Sequence, residues 1–182
     1  KLLGSIKKRG FVGNNLKLII SDGAEGGIKA VSEIYPNADL QLCLSHKARD
    51  VLNKCPKKHK AAMAADVKEI YRSRSLESAI NQCKMFEKKW FVVAEKSVKS
   101  LKHRFEDYFT YFSFPEELWK IIRTTNLLER EFREVRRRTK VMDNYFKSAK
   151  SAEKYHNGIF TYLNNHYPLN NSLEHIFQKI TH

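Results

Sequence analysis

Residues 16–46 read LKLIISDGAEGGIKAVSEIYPNADLQLCLSH, and this stretch decides the fold class. LKLII at 16–20 is a compact apolar run suited to a buried strand. After SDG, Ile28, Val31, Ile34 and Tyr35 recur at helical spacing until Pro36 ends the pattern. DLQLCLSH at 39–46 then alternates Leu40, Leu42 and Leu44 with Gln41 and Cys43, which predicts a second strand after a short turn. Strand, helix and strand in that order predict a parallel pair. Asp22 then falls at the carboxyl end of its strand, where open α/β sheets hold their sites. Two plainer readings of Asp22 stand beside this one. Asp-Gly is a favoured turn pair, and an Asp ahead of a helix is often only its cap.

Outward from this stretch the chain changes character. Glycines 4, 10, 13, 23, 26 and 27 crowd the start, and Gly158 is the only other one. A long span without glycine predicts helices, broken here at Pro56 and Pro115. From Ser45 to about Lys120 the pattern is amphipathic, with Val67, Ile70, Tyr71, Ile80, Cys83, Phe86 and Trp90 at helical spacing. The aromatics of 75–112, namely Phe86, Trp90, Phe91, Phe105, Tyr108, Phe109, Tyr111 and Phe112, predict a packed helical core. The fold class is therefore α/β at the opening and mostly α beyond it.

Charge narrows the class of partner. Thirty-four Lys and Arg against 20 Asp and Glu give +14, the footprint of a protein that meets a polyanion. No run approaches the roughly 18 apolar residues of a membrane span, and no signal-peptide pattern opens the chain, so a soluble intracellular chain is expected. Cys43, Cys55 and Cys83 are odd in number and unevenly spaced, which predicts free thiols over a disulfide framework.

Residues 124–140, TTNLLEREFREVRRRTK, carry the second candidate acid. Leu128, Phe132 and Val135 at i, i+4 and i+7 predict the buried stripe of a helix, with Glu129, Arg133, Arg136 and Lys140 running beside it. Glu129 is then either a surface partner of Arg133 or a metal ligand at the edge of the core. Residues 123–140 hold seven basic side chains against three acidic ones, a balance that suits phosphate contacts better than internal pairing. Cys43, His46, Cys55 and His59, spaced C-x2-H-x8-C-x3-H, have zinc-like spacing in each half but a short gap between halves. A buried Cys with a structural His is the competing reading. No glycine-rich phosphate loop, Ser/His/Asp pattern or nucleotide fingerprint occurs.

Together, LIISDGAEGGIKAVSEIYPNADLQLCLSHKARDV and RTTNLLEREFREVRRRTKVMDNYF resemble two blocks of the Mutator-type DDE transposases of bacterial and archaeal insertion sequences. The resemblance implies a partial ribonuclease-H-like core with a large all-helical insertion. Its ranges would be 1–45 for core with the second aspartate, 46–118 for the insertion, 119–167 for core helices with the glutamate, and 168–182 for a tail. It implies Asp22 and Glu129 as catalytic metal ligands and Cys43 and His46 as the family's Cys-x-x-His, which is not a zinc site in that family. Asn126, Arg130, Arg133, Arg136, Arg137, Arg138 and Lys140 would meet DNA. The implied activity is DNA strand cleavage and transfer with two Mg²⁺ or Mn²⁺ ions, about 3.5 to 4 Å apart. Asp22 and Glu129 would then lie on the order of 4 to 8 Å apart, as ligands of one metal pair.

The implied partners are DNA, as transposon ends and target, and further copies of the same enzyme, in a prokaryotic, nucleoid-associated cytoplasmic setting. Residues 1–21 contain no Asp or Glu, so the family's first aspartate is absent from them. The expectation is a carboxyl-terminal piece that binds DNA but is inactive alone. Two rivals remain: a non-catalytic nucleic-acid-binding protein derived from a transposase, and a small zinc-stabilised module built on the Cys and His residues.

Overall fold

The computed structural model describes residues 2–140, 146 and 148–166. The chain divides into two compact units, Lys1–Thr125 and Asn126–His182.

In the first unit, α1 (Leu2–Lys8) precedes β1 (Leu18–Ser21), α2 (Glu25–Ile34) and β2 (Asp39–Leu42). The two strands pair in parallel, with Leu18 opposite Asp39 and Ser21 opposite Leu42. The β–α–β reading therefore holds. The second strand is shorter than its alternation suggested, because Cys43 takes the N-cap position of α3 (Leu44–Asn53) and Leu44, Ser45 and His46 are helical. Leu44 is buried at the start of α3, and an apolar side chain suits a buried strand position equally, so it cannot signal where strand gives way to helix.

Helices α3, α4 (Lys60–Tyr71) and α5 (Leu76–Lys102) pack on one another. Val51, Met63, Val67, Ile70, Phe86, Trp90, Val98 and Leu101 form their shared core, continuous with Ile28 and Leu42 of the β–α–β unit. Ser75 caps α5 by accepting the Ser78 N–H at 3.1 Å. The helix breaks at Ala94, whose φ of −152° and ψ of 51° are non-helical. Before that break Phe91, expected in the core, is instead exposed along with Val92 and Val93.

The aromatic stretch beyond α5 is packed, but as short 3-10 turns at 106–108 and 110–113 and not as a continuation of the helix. These turns cover the outer edge of β2. Gln41, wholly buried, donates to the carbonyls of Leu42 (2.7 Å) and Tyr108 (2.9 Å) and accepts the Tyr111 N–H (2.8 Å). Thr110 Oγ1 donates to the Leu40 carbonyl at 2.8 Å. Helix α6 (Glu116–Ile122) starts directly after Pro115 and ends the unit's secondary structure. The 118/119 boundary expected between insertion and core falls inside it.

The second unit contains α7 (Asn126–Lys140) and α8 (Ala149–His166), which pack through Val135, Ile159, Leu163 and Tyr155. The buried stripe expected on α7 is corrected here. Val135 is buried, but Leu128 and Phe132 are 54% and 52% exposed. The covered side instead holds half-buried Leu127, Glu131, Glu134 and Arg138. The expected tail at 168–182 lies outside the described residues.

Candidate active site

β1 passes into α2 through a turn that its backbone dictates. Gly23 has a φ of +95°, which a residue with a Cβ adopts only under strain. Ser21 Oγ accepts the Gly23 N–H at 3.3 Å, and Asp22 Oδ1 accepts the Ala24 N–H at 3.1 Å. Asp22 thus closes an Asx turn. It is not the helix cap, because Ala24 occupies that position. The Asp22 side chain is exposed, and its second oxygen accepts no hydrogen bond among the described residues.

Asp22 lines a cleft of about 640 Å³ together with Lys54 just after α3, Lys96 and Lys99 of α5, and Arg104. Three of these cations are paired, Lys54 with Asp50, Lys99 with Glu95 and Arg104 with Asp107, each at 2.6 Å. Lys96 has no ion pair among the described residues. At the floor lies Lys47, which is buried; its Nζ donates to the carbonyls of Ser100 (2.6 Å) and His103 (3.3 Å) and stands 4.7 Å from the Tyr108 ring centre. Burial holds its ammonium below the usual lysine range. It does so while satisfying carbonyls at the end of α5 that have no helical partner. Burial likewise pushes the Tyr108 hydroxyl up to about 12.

Beside this cleft, the Cys-x-x-His pair turns towards Thr125. Cys43 is wholly buried. Its N–H donates to the Ser21 carbonyl at 2.8 Å. Its Sγ accepts both the N–H (3.2 Å) and the hydroxyl (3.3 Å) of Thr125, and that hydroxyl lies 3.4 Å from His46 Nδ1. The other half of the zinc-like spacing is engaged elsewhere. Cys55 Sγ donates to the Pro56 carbonyl at 3.4 Å, and His59 stands edge-on to Trp90 at 5.6 Å. Among the described residues no group of three or more His, Cys, Asp or Glu side chains is gathered for a metal ion.

In the second unit Glu129 lies in the first turn of α7 and is half-buried. The arginine track divides in two. Arg137 donates through Nε and Nη2 to Glu134 (3.1 and 2.9 Å), which with partial help from Arg138 holds that carboxyl below its usual range. Arg138 is half-buried, 3.9 Å from Glu134 and 4.3 Å from the Tyr162 ring centre, and its carbonyl accepts the Tyr155 hydroxyl at 3.1 Å. Arg130, Arg133, Arg136 and Lys140 are exposed, with no ion pair among the described residues. Spaced three or four apart, they share roughly a third of the helix circumference. Asn126 is exposed at the helix start.

Residues 1–168 match the sequence profile of a family described as "Transposase, Mutator family". The chain belongs to that family. Among its relatives, the transposase for insertion sequence element IS6120 of Mycolicibacterium smegmatis is 38% identical over 141 residues, 77% of this chain and 43% of the relative. The transposase for IS905 of Lactococcus lactis subsp. lactis (strain IL1403) is 31% identical over 139 residues, 76% of this chain and 35% of the relative. The transposase for IST2 of Acidithiobacillus ferrooxidans is 31% identical over 170 residues, 88% and 57% respectively. The chain thus spans from about a third to somewhat over half of these relatives' lengths.

Against this family background, sequence reasoning had missed Thr125, Lys47 and the cleft lysines. Lys96 and Lys99 stand three apart on a helical pattern, a spacing that could have flagged them. Thr125 is 82 residues from its sulfur partner, and nothing local marks it.

Proposed function

We propose that this chain is the catalytic-domain portion of a transposase, built on a ribonuclease-H-like core, that cuts and joins DNA by metal-dependent phosphoryl transfer. One observation carries the reading: Asp22 stands exposed at the carboxyl end of a parallel β–α–β strand, over a cation-lined cleft, in a Mutator-family chain. Sites on open α/β sheets form at that end of the strands. On this reading 1–45 and 119–167 belong to the core and the α3–α5 bundle lies within the 46–118 insertion.

The donor chemistry fits a hard divalent cation in part. Asp22 has a carboxylate oxygen without a hydrogen-bond donor among the described residues, and Glu129 supplies a second carboxylate. Among the described residues no group of three or more His, Cys, Asp or Glu side chains is gathered for a metal ion, so on this reading a further ligand comes from outside them. Mg²⁺ or Mn²⁺, when bound, would supply charge stabilisation at the reacting phosphate and a more acidic attacking water or hydroxyl. The protein's own part is to orient. The Gly23 turn fixes the Asp22 carboxylate, while Arg130, Arg133, Arg136 and Lys140 hold DNA phosphates without reading bases.

The test is a protein extended towards its amino terminus until it carries an aspartate-bearing strand. It should nick a DNA end with Mg²⁺ or Mn²⁺, and Asp22→Ala or Glu129→Ala should each cut the rate by at least about a thousandfold, as removing essential groups does. The 182 residues alone should bind DNA without cutting it. An extended protein that binds DNA yet stays inert with both metals refutes the catalytic reading in favour of a binding protein.

A further inference from the structure

The Cys-x-x-His motif is the one sequence signal that neither metal binding nor DNA contact absorbs. Cys43 is buried and offers its sulfur inward, to Thr125. Two donors of that residue converge on Sγ, the N–H at 3.2 Å and the hydroxyl at 3.3 Å. His46, one helical turn on, brings Nδ1 to 3.4 Å from the same hydroxyl. One proton arrangement serves both contacts: the hydroxyl donates to sulfur and accepts from a protonated Nδ1. Between them Leu44, the first residue of α3, donates its N–H to the Arg123 carbonyl at 3.1 Å, using a helix-start donor that has no partner within the helix. Cys43, Leu44 and His46 therefore grip the chain at both 123 and 125. Cys43 also reaches the opposite way, because its own N–H is bonded to the Ser21 carbonyl, one residue before Asp22.

We propose that Cys43 and His46 are positioning residues, a latch that fixes Thr125 to the carboxyl end of β1 and so sets the point from which α7 departs. Asn126 begins α7 at the next residue, and Glu129 follows within about one helical turn of Thr125. A catalytic role for Asp22 and Glu129 requires their carboxylates to be held to a fraction of an ångström. A hinge left loose at 125 would pass its play to the glutamate. This inference rests on the transposase reading for its purpose but not for its existence. The thiol acts neither as nucleophile nor as metal ligand here; its sulfur is an acceptor in a dry place, large enough to take two donors from one residue.

Amide hydrogen exchange on the 182-residue protein decides whether the latch exists. The Thr125 amide should be protected, and Cys43→Ala should speed its exchange about tenfold or more while the amides of the α3–α5 core stay protected. A Thr125 amide that exchanges at the rate of an open chain in the unmodified protein overturns the latch. Thr125→Val, close in shape to the native residue, then tests positioning in an extended protein that cuts DNA. It should lower kcat about tenfold or more and raise the Mg²⁺ concentration for half-maximal rate, with affinity for DNA unchanged; Thr125→Ser should restore both. Wild-type kcat and metal requirement in Thr125→Val, or loss of DNA affinity in parallel with rate, overturns the positioning role. If the unmodified extended protein binds DNA but cuts none, the transposase reading fails, and the exchange result still stands on its own.

Discussion

Gln41 shows what a single residue carries in this protein. It sits on β2 at full burial, and its amide bonds the turns at 108 and 111 that cover the strand as well as the Leu42 carbonyl of the strand itself. Gln41→Leu would keep the volume but leave the Tyr111 N–H and the Tyr108 carbonyl without partners. At about 1 to 3 kcal/mol for each unsatisfied buried group, partly relieved by relaxation, the expected loss is about 2 to 4 kcal/mol. Urea unfolding followed by circular dichroism would measure it, and a loss under about 1 kcal/mol would mean that water reaches those groups. None of this was visible in the sequence, where Gln41 is the polar member of an alternating strand and reads as solvent-facing. Asp22 was legible for the opposite reason: its place depends on local pattern alone, an apolar run, a turn pair and a helix, and those are the signals that sequence carries.

At the scale of elements, legibility follows the range of the forces involved. The β–α–β unit and the α3–α5 bundle were readable because each is an apolar period of 2 or 3.6 with breakers at its ends. The face of α7 was not. Leu128, Phe132 and Val135 make a proper stripe on paper, yet of the three only Val135 is buried against α8; on the covered side Glu134 pairs with Arg137 and Arg138, whereas Glu131 Oε1 and Arg138 Nε are buried without a hydrogen-bond partner among the described residues. This pairing sharpens the expectation for DNA. Replacing Arg130, Arg133 and Arg136 by Gln should flatten the salt dependence of duplex affinity by about two to three in log–log slope, since each phosphate contact contributes close to one. Arg137→Gln with Arg138→Gln should change the slope by less than one and instead lower stability. Fluorescence anisotropy across a salt series separates the two, and equal slopes for both variants would show that the internal pairs open on DNA.

A second element-scale expectation concerns acid. Asp50 joins α3 to α5 by accepting from the Ser100 hydroxyl, and it also pairs with Lys54. Partial burial works to raise its carboxyl, but the hydrogen bonds from Lys54 and Ser100 outweigh that and hold it below the usual range. A carboxyl depressed in the folded state favours folding above its unfolded value, near 3.9, and that contribution drains away as pH falls through the lower folded value. Asp50→Asn should therefore melt lower than the parent at pH 7, with the gap closing below about pH 4. A gap that persists unchanged at low pH would assign the loss to packing of the α3–α5 contact.

For the molecule as a whole, the sheet poses the physical problem. Among the described residues it has two parallel strands, whereas parallel sheets are ordinarily larger and covered on both faces. β2 has its outer edge closed by the turns that Gln41 and Thr110 hold. β1 has no second strand partner among the described residues, and its residues Leu18, Ile19, Ile20 and Ser21 are all only half-buried. An apolar strand with an open edge is a template for another strand. On the proposed reading, a neighbouring strand in a longer protein pairs there and brings a further acidic ligand beside Asp22. Two measurements on the shorter and extended proteins should then move together. Exchange of the Leu18–Ser21 amides should slow by about tenfold or more on extension, as pairing buries them, and metal-dependent DNA cleavage should appear in the same protein. Alone, the 182 residues should associate as concentration rises in light scattering, because the edge is available. If the edge amides stay fast in an extended protein that nevertheless cuts DNA, the third ligand reaches Asp22 by some route other than a strand on β1, and the ribonuclease-H-like reading of the core falls while the metal role of Asp22 survives.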